Sequence, residues 1–339
     1  MTLYCGIDLH SNNHVVVVID EQDQKIFEKR LTNELRETLQ ALAPFTEQLS
    51  GIAVESTFNW YWLVDGLMDA GYPVMLVNTA AVKKYDGLKH ADDQHDAFWL
   101  AHLMRLNILP TGYIYPKEDR GTRDLLRLRQ KLVQQRTSLV LSGKSHFERL
   151  TGKAASGAIL QRPSAMDIYL PKLDDPAHRL RLESQLQLIH TLTLHIDRVE
   201  QEVFNTVKHN PTFDYLQTVP GIGKILGLTI TLETGDIRRF PAVGDYVSYC
   251  RCVAATQTSN GKKKAEGNRK NGNRYLGWAY IEAAAHALPN CDSAKRFYDR
   301  KKAKSNGAVA MKALAHKLAR ASYFVVRDQV PFDEVKLFG

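Results

Sequence analysis

The sequence predicts an α/β protein with a mixed α/β N-terminal domain, a long helical middle and a mainly helical C-terminal domain. Three observations point to that class. Apolar runs of strand length, rich in valine and isoleucine, alternate with helical patterns in the N-terminal part. Beyond residue 117 the apolar residues recur at helical spacing, and between 182 and 203 they recur every seven residues. No apolar run approaches the roughly 18 residues of a membrane span, because polar or charged residues interrupt each one.

Residues 3–11 (LYCGIDLHS), 13–21 (NHVVVVIDE) and 25–31 (KIFEKRL) read as three short strands, the first two joined by a Ser-Asn-Asn turn. Residues 32–50 show helical spacing, with Thr32 or Asn33 as the expected N-cap. Residues 51–57 (GIAVEST) read as a strand, 60–71 as a helix, 72–78 (YPVMLVN) as a strand, and 91–109 as a helix with acids in its first turn. Three strands, then helix, strand, helix, strand, helix, is the order of a ribonuclease-H-like fold. A dinucleotide-binding fold would alternate from the start, and no GxGxxG follows the first strand.

This first domain is expected over residues 1–116, a helical linker and oligomerisation region over 117–208, and a C-terminal domain over 209–339. Residues 122–150 form one long helix candidate, followed by a looser stretch rich in small residues and proline at 151–178. A second helix places Leu182, Ile189, Ile196 and Val203 seven apart, with Leu192 and Val199 between. That seam predicts a coiled coil or helical hairpin and motivates an oligomer; an amphipathic helix packed on its own domain is the alternative.

In the C-terminal domain, Pro220-Gly221-Ile222-Gly223 lies between two helical patterns and precedes Lys224. It resembles the hairpin of a helix-hairpin-helix module, whose backbone N–H groups at a helix N-terminus face a phosphate. A basic loop follows, with Lys262, Lys263, Lys264, Arg269, Lys270 and Arg274 against the single acid Glu266. Such a loop suits phosphate backbones, although a charge run is ordinarily a solvated surface.

The net charge is +8, from 45 Lys+Arg and 37 Asp+Glu, and the excess leans toward the C-terminal half, which fits a polyanionic partner. The four cysteines, Cys5, Cys250, Cys252 and Cys291, have neither zinc-site nor disulfide-framework spacing. The N-terminus has no basic region leading into a long apolar stretch. Together these lead to the expectation of a cytoplasmic protein, off the membrane.

Asp8 sits inside an apolar strand, where an unpaired carboxylate is costly. It could simply cap the turn beside Ser11 and Asn12. In a ribonuclease-H-like sheet, however, the first and fourth strands are neighbours, so Asp8 would face Glu55 at the end of the fourth. Asp93 and Asp96, three apart, share one face of the helix beside them. Four converging carboxylates require cations, and hard oxygen ligands select Mg²⁺ or Mn²⁺. Acids in a first turn also complement the helix dipole, and Asp92 competes with Asp93 as the ligand. His10, His90 and His95 are read as surface imidazoles.

GIDLH, VEST, Asp93-Gln94-His95-Asp96-Ala97, TVPGIGKILG, GDIRRFP and SNGKKKAEGNRKNGNRYL occur in this order along the chain. The sequence thereby resembles the DEDD-type insertion-sequence transposases, bridge-RNA-guided serine recombinases whose relatives include the Piv invertase. The resemblance runs from Asp8 to about Asp333 and implies a RuvC-like first domain. It puts the family's Asp-Glu-Asp-Asp set on Asp8, Glu55, Asp93 and Asp96, and the family's nucleophilic serine on Ser259, ahead of Lys270-Asn271-Gly272-Asn273. The chain lacks the family's Gly-Leu-x-Pro lead-in before that serine, and Thr258 is the alternative nucleophile.

The resemblance implies Mg²⁺-dependent cleavage, exchange and rejoining of donor and target duplex DNA through a phosphoserine link. It further implies a noncoding bridge RNA as guide and a homo-oligomer, dimer or tetramer. Acids and serine lie far apart in the chain, so they would meet by domain docking across protomers. A RuvC-like junction nuclease using metal and water, a site-specific invertase, and a non-enzymatic architectural protein are the alternatives.

Overall fold

Leu3–Leu9 (β1), Asn13–Ile19 (β2), Lys25–Thr32 (β3), Leu49–Glu55 (β4) and Val74–Val77 (β5) form one sheet in the order β3-β2-β1-β4-β5. The computed structural model describes residues 1–79, 81–82, 93–253, 256–259, 262–266 and 271–339, with 256–259 and 262–266 described by their backbone. They fall into two compact units, Met1–Lys117 and Glu118–Gly339.

In the first unit β1 runs antiparallel to β2 and parallel to β4, β3 is antiparallel to β2, and β5 is parallel to β4. This is the ribonuclease-H-like strand order that the sequence predicts. Helices α1 (Leu35–Leu42) and α2 (Tyr61–Asp69) cover one face, where Ile7, Leu9, Val16 and Val54 meet Leu42 and Leu63. Helix α3 (Asp93–Arg105) covers the other, where Val15, Val17 and Ile19 meet Ala97 and Ala101. With both faces covered, the central strands read as near-continuous apolar runs.

Gly6 explains how closely α3 approaches. A Cβ there would lie 2.0 Å from the Ala97 carbonyl oxygen and 2.8 Å from the Ala101 nitrogen. One sequence expectation is corrected at the start of α1, where the N-cap is Glu34 and no side chain caps the helix. Thr32 belongs to β3, and Asn33 instead donates its amide to the His10 carbonyl at 3.1 Å.

The second unit opens with α4 (Lys117–Thr151), whose first residue closes the preceding unit, then the short α5 (Gly157–Leu160) and α6 (Ala165–Tyr169), and α7 (Pro176–Val207). Asp175 caps α7, accepting from Ala177 N at 2.8 Å and His178 N at 3.0 Å, with Pro176 just inside. Cross-links from Arg129 to Glu200 (2.8 Å), Arg136 to Thr193 (3.2 Å) and Gln185 to Ser142 (2.9 Å) run α4 and α7 antiparallel, as a helical hairpin.

The heptad residues face inward along this hairpin. Leu182, Ile189, Ile196 and Val203 are at most 2% exposed; Leu182 and Ile189 pack with Val140 and Phe147, and Val203 packs with Leu126. The seam expected between chains is therefore covered within one chain, and it gives no motive for an oligomer.

Helices α8 (Pro211–Leu216), α9 (Lys224–Thr234), α10 (Val243–Tyr249), α11 (Arg274–Ala287), α12 (Asp292–Lys304), α13 (Gly307–Asp328) and α14 (Glu334–Phe338) complete the unit. Their core centres on Ile230, Tyr246, Leu276, Tyr280, Leu314 and Leu318. The predicted basic loop contains an antiparallel hairpin of β6 (Thr256–Ser259) and β7 (Lys262–Glu266), with Ser259 in register with Lys262. Asn260 and Gly261, between the two strands in sequence, lie outside the described residues. All four cysteines are buried free thiols. No helix among the described residues is long and apolar enough to cross a membrane.

Candidate functional site

Asp8 lies one residue before the end of β1 and is 2% exposed. Ile7 pairs with Val54 across the parallel ladder, which sets Asp8 level with Glu55, the last residue of β4. Even-numbered positions of β1 face α3, and so does Ala53 two residues before Glu55. Asp96 enters from the first turn of α3. Asp8, Glu55 and Asp96 thus line one small cleft of about 40 Å³, walled by Thr79, Val82, Trp99 and Leu100. A site needs about 10–15 Å³ of such space to hold one water, so the cleft can take a small ion together with water.

Asp93, also in the first turn of α3, stands by His10. His10 Nε2 stands 3.1 Å from Asp8 Oδ2 and 3.3 Å from Asp93 Oδ1. Asp8, His10 and Asp93 offer three ligand atoms within 4.8 Å of one another. The His10 side chain is 37% exposed, as a surface imidazole, yet it stands between these two carboxylates. Its backbone is held as well: the His10 carbonyl accepts from Asn59 at 2.9 Å and from Asn33 at 3.1 Å. The Arg30 guanidinium donates to Asp93 Oδ2 at 2.6 Å and holds that carboxyl below the usual carboxylate range, with His10 adding to the effect. Asp92 and His90 lie outside the described residues.

The donor set suits a hard divalent cation. Asp8 Oδ2 is buried and has no hydrogen-bond partner among the described residues, although His10 Nε2 stands 3.1 Å away. A buried carboxylate oxygen left this way is costly without a cation. Two further carboxylates share its cleft, and an imidazole and a third carboxylate flank it. Ligation of this kind suits a divalent cation.

In the second unit, the segment carrying Ser259 is pinned at its base. Asn273 N donates to the Tyr249 carbonyl at 2.6 Å, and Arg251 Nε donates to the Gly272 carbonyl at 3.0 Å. Gly272 is obligatory here, with φ +86° and a Cβ position only 2.4 Å from the Tyr249 carbonyl oxygen. Asn273 caps α11 and also donates to Glu233 Oε2 at 2.7 Å. Glu233, 3% exposed, takes two more bonds from Arg127 at 2.6 and 2.7 Å. Burial disfavours the Arg127 charge, but this carboxylate outweighs it and raises the guanidinium's pKa. Sequence reasoning missed Glu233, although an acid within the apolar run ILGLTITLET is the same kind of signal as Asp8.

The remaining predicted contacts are distributed as follows. Lys262, Lys263 and Lys264 lie on β7, while Arg269 and Lys270 lie outside the described residues. Arg274 opens α11, exposed, with its guanidinium over the Tyr275 ring at 4.8 Å. Gly221 has φ +81° and packs so tightly on α11 that a Cβ would lie 2.0 Å from the Ala283 carbonyl oxygen. Its glycine is thus explained by packing. Gly223 is the N-cap of α9 and has open space at its Cβ position. Lys224 Nζ rests 3.6 Å over the Phe204 ring. Gly221, Gly223 and Lys224 line a cleft of about 600 Å³ with His286 and Asn290.

Two family models match the chain. A DEDD-type IS110 model, described as a transposase, covers residues 5–150, and a second, described as transposase IS116/IS110/IS902 family, covers 214–299. Among curated proteins, the chain is 24% identical over 93% of its length to a "Probable family 20 transposase" of Pseudomonas aeruginosa, covering 94% of that protein. It is 22% identical over 84% of its length to the transposase for insertion sequence element IS1111A of Coxiella burnetii, covering 77% of that protein. It is also 21% identical over 97% of its length to the transposase for insertion sequence element IS1328 of Yersinia enterocolitica, covering 98% of it.

Proposed function

Since the chain belongs to the IS110/IS116 family of DEDD transposases, and is thereby a DNA-processing enzyme of an insertion sequence, we propose that it cuts, exchanges and rejoins DNA strands through a serine-linked intermediate. The observation that supports this most is Asp8, a buried carboxylate level with Glu55, with one oxygen that has no hydrogen-bond partner among the described residues and Asp96 in the same cleft. Asp8, Glu55 and Asp96, with Asp93 and His10 beside them, would hold divalent cations. Bound there, Mg²⁺ or Mn²⁺ supplies stabilisation of the negative charge that builds on a phosphodiester under attack.

The chain's own part in the reaction follows from these residues. Ser259 gives up its hydroxyl proton and its Oγ bonds to phosphorus as the bridging P–O bond breaks, while the leaving oxygen takes up a proton. The phosphodiester's energy is kept in the serine ester, and an incoming DNA hydroxyl reverses the step and frees the serine. Lys262, Lys263 and Lys264, on the strand paired with β6, and Arg274 supply positive charge for the backbone of donor and target duplexes. The cleft at Gly223 and Lys224 offers backbone N–H groups at the start of α9 to another phosphate. Choice of sequence falls to pairing with a noncoding bridge RNA, which the protein reads by backbone and shape. The working form is a homo-oligomer, dimer or tetramer, built on surfaces other than the Leu182–Val203 seam.

Suicide DNA substrates test this. The wild-type chain should leave a covalent adduct that survives denaturation and maps to Ser259, and Ser259→Ala and Asp8→Asn should each abolish it. An adduct on Thr258 keeps the mechanism and moves the nucleophile. Cut ends free of protein would replace it with hydrolysis by water.

A further inference from the structure

Helices α4 and α11 enclose a groove of about 650 Å³ in the second unit, which neither the acid cluster nor the serine hairpin accounts for. Its volume falls within the ~300–1,000 Å³ of sites that enclose small organic ligands. Two aromatic rings line it, Tyr275 and Trp278, both half-buried on α11. The Tyr275 ring is covered by two guanidinium groups, Arg127 at 4.7 Å and Arg274 at 4.8 Å. Arg127 is locked by its paired bonds to Glu233, and Arg274 Nη2 donates to the Tyr275 hydroxyl at 2.9 Å. These planar groups are held in place before any ligand arrives.

The rest of the lining is polar. Gln130 and Gln134 sit one turn apart on α4, each offering an amide donor and acceptor, and Lys131 is exposed between them. No acid lines the groove among the described residues. Stacking surfaces, amides able to read a base edge, and cations able to meet a phosphate are the three requirements of a single-stranded site. Stacked and paired bases of a duplex present their faces to one another and cannot use an aromatic surface in a recess.

We propose that the α4–α11 groove binds an unpaired nucleotide of a single-stranded RNA or DNA segment, stacked on Trp278 with its phosphate at Lys131 and Arg274. This rests on the reading of the chain as a nucleic-acid-processing enzyme.

Binding of the full chain to fluorescein-labelled oligonucleotides tests the proposal, using one sequence as single-stranded RNA, single-stranded DNA and duplex DNA. Trp278→Ala should weaken single-strand binding about tenfold and Trp278→Phe by much less, since a ring remains. Lys131→Glu, at an exposed helix position where folding is not at stake, should weaken it several-fold. Duplex affinity should stay within about twofold in all three. Loss confined to RNA, or to DNA, supports the groove and identifies the strand it takes. Unchanged single-strand affinity in Lys131→Glu and Trp278→Ala, or an equal loss for the duplex, overturns it. A wild-type chain that binds duplex but neither single strand overturns the groove and leaves the transposase reading intact, because adduct formation by Ser259 is measured separately.

Discussion

Asn273 donates its side-chain amide to Glu233 Oε2 at 2.7 Å, so the residue that caps α11 is tied to a buried carboxylate on α9. Arg127 completes that carboxylate from α4 with two bonds. The charge is tolerated because every partner is present, and removing one partner of a buried pair costs about 3–5 kcal/mol. Arg127→Gln, which leaves Glu233 without its counter-charge, is therefore expected to lower the urea midpoint substantially. Glu233→Gln keeps an acceptor for Asn273 and should lower it less. Two midpoints equal to that of the wild type would show that this network does not hold the three helices together.

Gly6 sets the approach of α3 to β1, and the first turn of α3 carries Asp93 and Asp96. Gly6→Ala forces the helix backbone outward, with an overpacking cost of about 1–3 kcal/mol. Divalent-cation binding should weaken along with stability, because Asp96 then leaves the cleft shared with Asp8. Titration with Mn²⁺ against a circular-dichroism control separates the two effects. Full cation affinity in a folded Gly6→Ala chain would count against the cleft as the binding place.

The strand order was legible because each run in the first unit carries its own local evidence: β-branched apolar residues, tight turns and a change to helical spacing. Asp8 was legible as a charge in the wrong surroundings. His10 was not, since its value depends on where Asp93 arrives from a distant helix, and no spacing records that. Gly6 reads as an ordinary strand residue until the Ala97 backbone is seen against it. The Leu182–Val203 heptad was read correctly as a seam, but a period cannot say whether the partner helix is α4 of the same chain or another copy. In β7, three lysines suggested solvent and hid the strand pairing with β6.

A pH effect follows from Asp23. Burial disfavours its charge, but bonds from Arg105 at 2.6 Å and His102 at 2.9 Å outweigh this and hold the carboxyl below its usual 3.8. A carboxyl with a depressed folded-state pKa contributes stability above the unfolded value and loses it as pH falls through the folded one. The stability gap between wild type and Arg105→Gln should thus be constant above about pH 5 and narrow below about pH 4. A gap that does not change with pH would remove Asp23 ionisation as its cause.

The buried seam makes a prediction of its own. Ile189 and Ile196 are 1% and 2% exposed within one chain, so truncation should open cavities in the hairpin core. Ile189→Ala and Ile196→Ala are each expected to cost about 2–5 kcal/mol, with no change of sedimenting mass in chains that remain folded. A folded variant that dissociates to a smaller species would restore the seam as a contact between chains.

Gly272 offers the most direct way to separate positioning of the serine segment from binding. Its φ of +86° and the 2.4 Å approach of its Cβ position to the Tyr249 carbonyl leave no room for a side chain. Gly272→Ala would strain the turn by on the order of 1–3 kcal/mol and push Asn273 off the Tyr249 carbonyl. The base of the segment that carries Ser259 would then shift relative to α10. A misplacement of about 1 Å at a reacting group costs on the order of 100-fold in rate. Adduct formation at Ser259 should therefore fall by that order, while duplex DNA affinity changes by no more than a few-fold, because no cation is removed. Asn271→Ala, at the exposed residue next to it, should leave both unchanged. Equal adduct yields in the Gly272→Ala and wild-type chains would mean that the Tyr249–Asn273 closure does not position the serine.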